Sequence, residues 1–475
     1  MIKIKFFLLT ILVAFCCCKN NQSVVETNPK NSHKVEDRPN FFFYLADDQD
    51  QLDYGCYGNP KVNTSNVDEL AKQGMRFTNF YTAQAICAPA RSQIFTGMYP
   101  MKNGCMANHL PVKENISSVV NLLKAEGYDV VLAGKNHVAP NSVFNWTHYF
   151  ESIDHRYLPF KKIESYLANV KKPFCIFITS DYPHGPYPKI SQYSKADIFR
   201  LPYYKGETKN RRTGYYQNIL DDNIQLGKIL NMVDTYGLRD NSIFIYAADH
   251  GISGKYGLNE EGLKVPFIVR WPKIVKPNST NYTLLSFIDV LPTFLEAAKA
   301  EIPKSIDGKS FLKNLKGNTE EIHDHIFGIA TKQNIQNCKV FPSRMARGKR
   351  FKLIRNYNAM EVSQSNLGKN AIVNEFIKLG SESFPNIPYE ELYDLKEDPY
   401  QNKNLALDSK YEFEKNTLSE ELSNWMIAQK DFLITEKMPL IKPTLHPLDI
   451  PSKWNVVPKE LEGKLHQEDY MNLHY

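Results

Sequence analysis

The sequence predicts an α/β protein, a central sheet covered by helices on both faces, followed by a smaller α+β unit. Three observations carry this. Short β-rich apolar runs alternate with segments of helical spacing over the first two thirds of the chain, the pattern of a sheet with helical crossovers. From about His323 the pattern changes to closely spaced short strands and one last helix. The length of 475 residues, 42% hydrophobic and 23% charged, suits one large core plus a smaller one in a globular chain.

Taken in order, the chain opens with MIKIKFFLLTILVAFCCCKN: two early lysines, an apolar run from Phe6 to Phe15, then Cys16, Cys17 and Cys18. The run is too short to span a bilayer and fits the core of a signal peptide. Cysteines at its end give the layout of a bacterial lipoprotein signal, with Phe15 where a small residue is usual. Residues 1–18 are therefore expected to be the signal, and the polar stretch 19–38 a flexible tether. An exported protein is expected, periplasmic or held at the outer membrane of a bacterium by a lipid anchor alone.

The α/β unit is expected over 39–320. Its strands are read in NFFFYLADD (Asn40 to Asp48), DVVLAGKNH (Asp129 to His137), FCIFITSDYPH (Phe174 to His184) and SIFIYAADHG (Ser242 to Gly251). NVDELAKQG and SSVVNLLKAEGY have helical spacing, with a glycine to close each. TGYYQNILDDNIQLGKILNMVDTYG is a longer amphipathic helix, and SFIDVLPTFLEAAKA another. HIFGIA, RMARGKRFKLIRN and YEELYDL read as antiparallel strands and LSEELSNWMIAQKDF as a helix, giving the α+β unit over 321–432. The last stretch, 433–475, rich in Pro, Lys and His, reads as irregular.

A formal charge of +6 without a long basic run argues against a nucleic-acid partner, and suits an anionic substrate. Beyond the leader, Cys56, Cys87, Cys105, Cys175 and Cys338 are scattered, odd in number and without a CxxC pair. That excludes a disulfide framework and a zinc cluster. Cys175, inside FCIFITS, reads as a core residue.

All four strands end in residues that bind metals or move protons: Asp47 and Asp48, Lys135 and His137, His184, Asp249 and His250. Ligands of open α/β sheets bind at the carboxyl ends of strands, so these residues are expected to meet in one crevice. A single strand ending in Asp is ordinary turn chemistry; four such ends are a pattern. Adjacent carboxylates repel unless a cation lies between them, and hard ions such as Ca²⁺ and Mg²⁺ take such oxygen ligands.

One further stretch decides the chemistry. CAPARSQIFTG, from Cys87, fits C-x-P-x-R-x-x-x-x-T-G throughout and resembles the signature of type I sulfatases. The resemblance runs from about Arg38 to Phe432 and implies an alkaline-phosphatase-like fold, a central mixed sheet flanked by helices. It implies that Cys87 is converted to formylglycine by a formylglycine-generating or anaerobic maturating enzyme. The hydrated aldehyde would be the nucleophile, because a geminal diol can attack sulfur with one hydroxyl and expel sulfate by collapsing to the aldehyde. It also implies one Ca²⁺ held by Asp47, Asp48, residue 87, Asp249 and His250. GKNHVAP carries over Lys135 and His137, DYPHGPY carries over His184, and GKYGLNEEGLKVPFIVRWP carries over Lys255. In this reading Lys135 and Lys255 neutralise sulfate oxygens and Arg91 orients the diol. His184, with Lys255, protonates the leaving oxygen or nitrogen, and His137 takes the proton that triggers sulfate release.

Within the family, YPMKNGCMANH, GKNHVAP, PSRMARGKRFKLIRN and ELYDLKEDP resemble heparan N-sulfatase (sulfamidase) and its bacterial relatives, although sulfamidase has an arginine where this chain has Lys255. The substrate implied is a sulfated carbohydrate, an algal polymer such as ulvan or a glycosaminoglycan. A phosphatase or phosphodiesterase of the same superfamily would use Ser or Thr and usually two zinc ions held by more histidines. A glycan-binding lipoprotein without activity has no use for the complete cysteine motif with two lysines and two histidines.

Overall fold

A strand that is apolar on both faces must be central, and Asn40–Ala46 (β1) is such a strand, with all seven residues buried. In the computed structural model it lies in a sheet with Met75–Tyr81 (β2), Asp129–Gly134 (β3), His148–Glu151 (β4), Phe174–Thr179 (β5), Ser242–Ala248 (β6), Lys264–Arg270 (β7), Ser279–Asn281 (β8) and Leu285–Ser286 (β9). The order is β4-β3-β5-β1-β6-β7-β2-β8, with β9 also paired to β2. The first five strands run parallel, and β7 is antiparallel to both its neighbours. The structure describes residues 38–199, 209–330, 343–357 and 388–435 and the paired fragments Leu440–Ile441 and Tyr470–Met471. The leader, nearly all of the tether, Cys338 and most of 433–475 lie outside the described residues, among which no helix is long and apolar enough to cross a membrane.

The four strands read from the sequence are the adjacent parallel set β3, β5, β1 and β6, each ending before the polar residues that follow it. β2 is not legible as a strand, because its alternation breaks where the register shifts between Phe77 and Phe80. Side chains alternate across the sheet. Phe41, Phe43 and Leu45 face one core with Phe177, Phe267 and Phe294, whereas Phe42, Tyr44 and Ala46 face another with Phe174, Phe244 and Tyr246.

The helices that cover the faces are, in chain order, Ser65–Gln73 (α1), Cys87–Thr96 (α2), Pro100–Asn103 (α3), Val119–Ala125 (α4), Phe160–Asn169 (α5), Lys209–Thr235 (α6), Glu260–Leu263 (α7), Val290–Ala297 (α8) and Leu312–Leu315 (α9). The expected helix from Ser286 starts later than its pattern suggests. Ser286 pairs with β2 and a 3₁₀ turn, Phe287–Asp289, intervenes, with Asp289 accepting the Ser286 N–H at 2.8 Å.

Ile326–Ala330 (β10), Ser343–Arg347 (β11), Phe351–Asn356 (β12) and Glu390–Asp394 (β13) form a separate antiparallel sheet in that order. The helix Glu412–Ala428 covers it. Its core is shared: Ile329, Leu353, Leu422 and Trp425 pack in one cluster with Ala83, Tyr99, Met101 and Ile288 of the first unit. Ile329 N–H also donates to Ala83 O at 2.8 Å, which ties β10 to the loop that leads into α2.

Candidate active site

The crevice forms where β3, β5, β1 and β6 end. After β1, Asp48 adopts the left-handed conformation, φ 65°, which aspartate tolerates better than most residues but which still costs ~1 kcal/mol or more. Its N–H is held by Asp249 Oδ1 at 3.0 Å, and the same oxygen accepts the His250 N–H at 2.9 Å. Asp249 thus joins the ends of β1 and β6 while Oδ2 faces the Arg91 guanidinium at 3.4 Å. After β3, Gly134 has φ 111°, and a Cβ there would lie 2.1 Å from Thr179 O, so only glycine lets the chain turn and deliver Lys135.

α2 supplies the nucleophile position. Ile86 is extended, Cys87 is the first helical residue, Pro89 fits the first turn, and Gly97 closes the helix at φ 65°. All ten residues of α2 are buried, so its N-terminal N–H groups and positive dipole end face the crevice rather than solvent. Asn108 Oδ1 accepts the Ala88 N–H at 2.8 Å.

Around Cys87 the distances are short. Sγ lies 3.4 Å from Asp47 Oδ1, 3.5 Å from His250 Nε2 and 3.8 Å from Lys255 Nζ. Single donor atoms of Asp47, Asp48, Cys87 and His250 fall within 4.8 Å of one another. Lys255 Nζ donates to both Asp48 oxygens at 2.8 Å, and Lys135 pairs with Asp47 Oδ2. Arg91 lies 3.6 Å from Asp47. His184 Nε2 is 3.5 Å from Asp48 Oδ2, and its Nδ1 is 2.7 Å from Gly185 O. His137 stands one step out: its Nδ1 is buried without a hydrogen-bond partner among the described residues, and its ring lies 4.9 Å from that of His109.

Nine of the ten residues expected in the crevice are therefore linked by direct contacts, and His137 borders them. His109 and Asn108 were not singled out by the sequence, although both lie in YPMKNGCMANH, a stretch that carries likeness to the family without a chemical pattern. Asp181, held by the Ser152 hydroxyl at 2.6 Å, is a further acid at the rim.

The electrostatics follow from burial against charge. Burial pushes Asp47 and Asp48 up, but Lys135, His184 and Arg91 around the first, and Lys255 and His250 around the second, hold both below the usual carboxylate range. Burial and the Asp47 charge instead raise Asp249 to about 7. Burial disfavours the His250 imidazolium, yet Asp249 and Asp48 raise it to about 9. Burial and Asp47 push the Cys87 thiol up, and Lys255 and Lys135 outweigh them. Burial, with Lys135 and Arg91 alongside, holds His137 well below its ordinary value, so that ring is neutral.

Donor atoms of Asp47, Asp48, Cys87 and His250 thus converge on one point, with the Asp249 carboxyl beside them. The donor set, rich in hard oxygen, fits a divalent cation of the Ca²⁺ or Mg²⁺ kind. Next to it, two amines and a helix N-terminus present positive charge to an anion.

Such a fold and such a crevice define a hydrolase of anionic esters, and the comparisons with known proteins narrow the class. Residues 39–300 match the family model described as Sulfatase, and residues 248–367 match that of N-sulphoglucosamine sulphohydrolase, C-terminal. The chain is 46% identical over 95% of its length to an ulvan-active sulfatase of Formosa agariphila, of which 93% is covered. It is 23% identical to an N-acetylglucosamine-6-O-sulfatase of Bacteroides thetaiotaomicron, with 83% and 87% covered. Among solved structures, one in complex with its substrate D-glucosamine-2-N,6-O-disulfate superposes with a TM-score of 0.65 at 20% identity, covering 84% of this chain and 100% of that one. The phosphonate monoester hydrolase of Agrobacterium radiobacter superposes at 0.67 with 17% identity, covering 82% and 96%, so the fold alone does not choose between sulfur and phosphorus. The chain belongs to the sulfatase family. It is a sulfuric ester hydrolase.

Proposed function

We propose that this sulfatase removes sulfate esters from a sulfated polysaccharide, ulvan or a close algal relative, with Cys87 matured to formylglycine and one Ca²⁺ in the crevice. The observation that carries the reading is the position of Cys87, the first residue of a buried helix within a complete C-x-P-x-R-x-x-x-x-T-G motif, 3.4 Å from Asp47 and 3.8 Å from Lys255. The long likeness to an ulvan-active sulfatase supports the substrate class. The match of residues 248–367 to the sulphohydrolase model favours a second reading, cleavage of an N-sulfate. Lys255, where sulfamidase has arginine, weighs against it.

Asp47, Asp48, residue 87, Asp249 and His250 would hold the ion, which supplies Lewis-acid neutralisation of the sulfate charge. The hydrated aldehyde of residue 87 supplies the nucleophilic hydroxyl. Lys135 and Lys255 neutralise sulfate oxygens from two sides, and Arg91 fixes residue 87 against the carboxylates. His184 has Nε2 toward the crevice because Nδ1 lies on Gly185 O, and Nε2 carries the proton to the leaving oxygen. His137 is held neutral, as a base must be, and accepts the proton that lets sulfate depart. The leader supports export and a lipid anchor, and maturation requires a partner enzyme acting on the Cys87 motif.

Mass spectrometry of the Cys87 peptide after co-expression with a formylglycine-generating enzyme tests this together with sulfate release from ulvan oligosaccharides. The mass deficit of thiol-to-aldehyde conversion is expected, and Cys87→Ala should fold and be inactive. Full activity in Cys87→Ala would overturn the mechanism; release from N-sulfated glucosamine alone would favour the second reading.

A further inference from the structure

Along the same sheet edge lies a cavity of about 340 Å³ lined by Gln51, Asn259, Lys264, Arg347 and Gln401 among others. It is not part of the crevice but neighbours it. Gln51 follows shortly after Asp47 and Asp48, and Asn259 follows Lys255. Lys264 opens β7, and β7 runs antiparallel to β6, so its first residue sits at the edge where β6 delivers Asp249. β7 is two strands from β1, roughly 10 Å at the usual strand spacing.

The cavity has more positive charge than its walls neutralise. Glu260 Oε1 lies 3.0 Å from the fully buried Lys352 and 3.7 Å from Arg347 Nε, and Glu260 Oε2 accepts the Tyr81 hydroxyl at 2.6 Å. Lys264 is disfavoured by burial and by Arg347, with Glu260 as its counter-charge. Three cations thus share one carboxylate. Glu261, the other acid on the wall, is raised by burial and Asp50 to about 7 and is only part ionised at neutral pH. Arg347, 4% exposed, stacks over the Tyr81 ring at 4.6 Å and leaves Nε buried without a hydrogen-bond partner among the described residues. The Gln401 Nε2 amide is likewise buried and unpaired. Buried donors without a hydrogen bond, beside cations that share a single carboxylate, are costly unless an anion completes them. Lys396 extends the same charge to the surface at the rim, where Lys349 is paired with Glu321 at 3.1 Å.

We infer that this cavity is a second anion subsite, which takes the carboxylate or sulfate of a sugar next to the one being desulfated. The inference rests on the sulfatase reading for its polymer, and it assigns a residue of the second sheet, Arg347, to substrate recognition. It makes the enzyme selective for a chain with a second negative charge about two strand widths from the scissile ester.

Two measurements test it. The first compares kcat/KM for a monosulfated disaccharide whose second sugar is a uronate, its carboxyl-reduced analogue, and the disaccharide carrying a second sulfate. Lys264→Gln, and the exposed rim variant Lys396→Gln to guard against misfolding, should lower kcat/KM for a dianionic substrate, Lys264→Gln by about tenfold. Both should leave the carboxyl-reduced analogue within about twofold. Loss confined to the uronate or to the disulfate identifies which anion the cavity takes. The second measurement needs no turnover: binding of the desulfated uronate disaccharide to Cys87→Ala and to Cys87→Ala with Lys264→Gln. About tenfold weaker binding to the double variant supports the subsite even if the mechanism at Cys87 proves wrong. Equal affinity in both proteins, or equal loss on charged and reduced substrates, overturns it.

Discussion

At the scale of residues, the crevice separates two histidines by environment. His184 reaches Asp48 with Nε2 and is part exposed, whereas His137 is buried beside Lys135 and Arg91 and held neutral. That division predicts different rescue. General acid–base groups contribute a factor of ~10² to 10⁴, so His184→Ala and His137→Ala should each keep a measurable remnant. A nitrophenyl sulfate, whose leaving group needs no proton, should partly restore His184→Ala and not His137→Ala. The latter should stall with sulfate on residue 87, visible by mass spectrometry, and equal rescue of both would show the assignment to be wrong. What was legible here was contiguous: the Cys87 motif states its own chemistry. Asn108, which caps the Ala88 N–H, and the Glu260–Lys352 pair were not, because such partners are 20 and 92 positions apart and neither side has a pattern of its own.

At the scale of elements, the strand ends were legible because four apolar runs each stop at a polar cluster, and parallel neighbours must end at one edge. The way α6 is fastened across the sheet was not. Asp222 lies fully buried on that helix, with Oδ1 accepting the Tyr44 hydroxyl of β1 at 2.7 Å and Oδ2 that of Tyr246 of β6 at 3.3 Å. Burial raises its carboxyl to about 7, against the pull of the Ser180, Tyr44 and Tyr246 hydroxyls. An acid whose folded value exceeds its unfolded value of about 3.9 binds its proton more tightly in the fold. Its contribution is then fully present below about pH 4 and is lost as pH rises, the loss being complete above about 7. Asp222→Asn removes that titration. In denaturant unfolding, the stability of the variant relative to the natural chain should therefore rise between pH 4 and pH 7.5, by ~1 to 4 kcal/mol. A difference that does not change with pH would show that the carboxylate is ionised in the fold.

At the scale of the whole molecule, the second sheet and the catalytic sheet act on one loop. β10 holds Ala83 through the Ile329 N–H, Tyr99 packs against Trp425, and Arg344 on β11 forms a fully buried pair with Asp431 beyond the last helix. The sequence shows the second sheet but not this grip, since Ala83 and Ile329 meet only after both sheets have formed. α2 is therefore held from one side by packing and borders, on the other, the cluster of Asp47, Asp48 and Asp249, where a cation would add to the charge of Lys135, Lys255 and Arg91. Binding to the folded chain alone stabilises it by RT ln(1 + [L]/Kd), ~2.7 kcal/mol at a hundredfold excess over Kd. Ca²⁺ should thus raise the thermal midpoint of protein stripped with a chelator and restore its activity over the same concentration range. Asp47→Asn combined with Asp48→Asn should abolish both responses while the protein still unfolds cooperatively, because the cores on the two faces do not depend on the crevice. Zn²⁺ should not substitute, since the donors are mainly hard oxygens. If the midpoint ignores Ca²⁺, or the double variant responds like the natural chain, the crevice is not where the ion binds. If Zn²⁺ alone restores both, the crevice takes zinc and the assignment of Ca²⁺ is wrong.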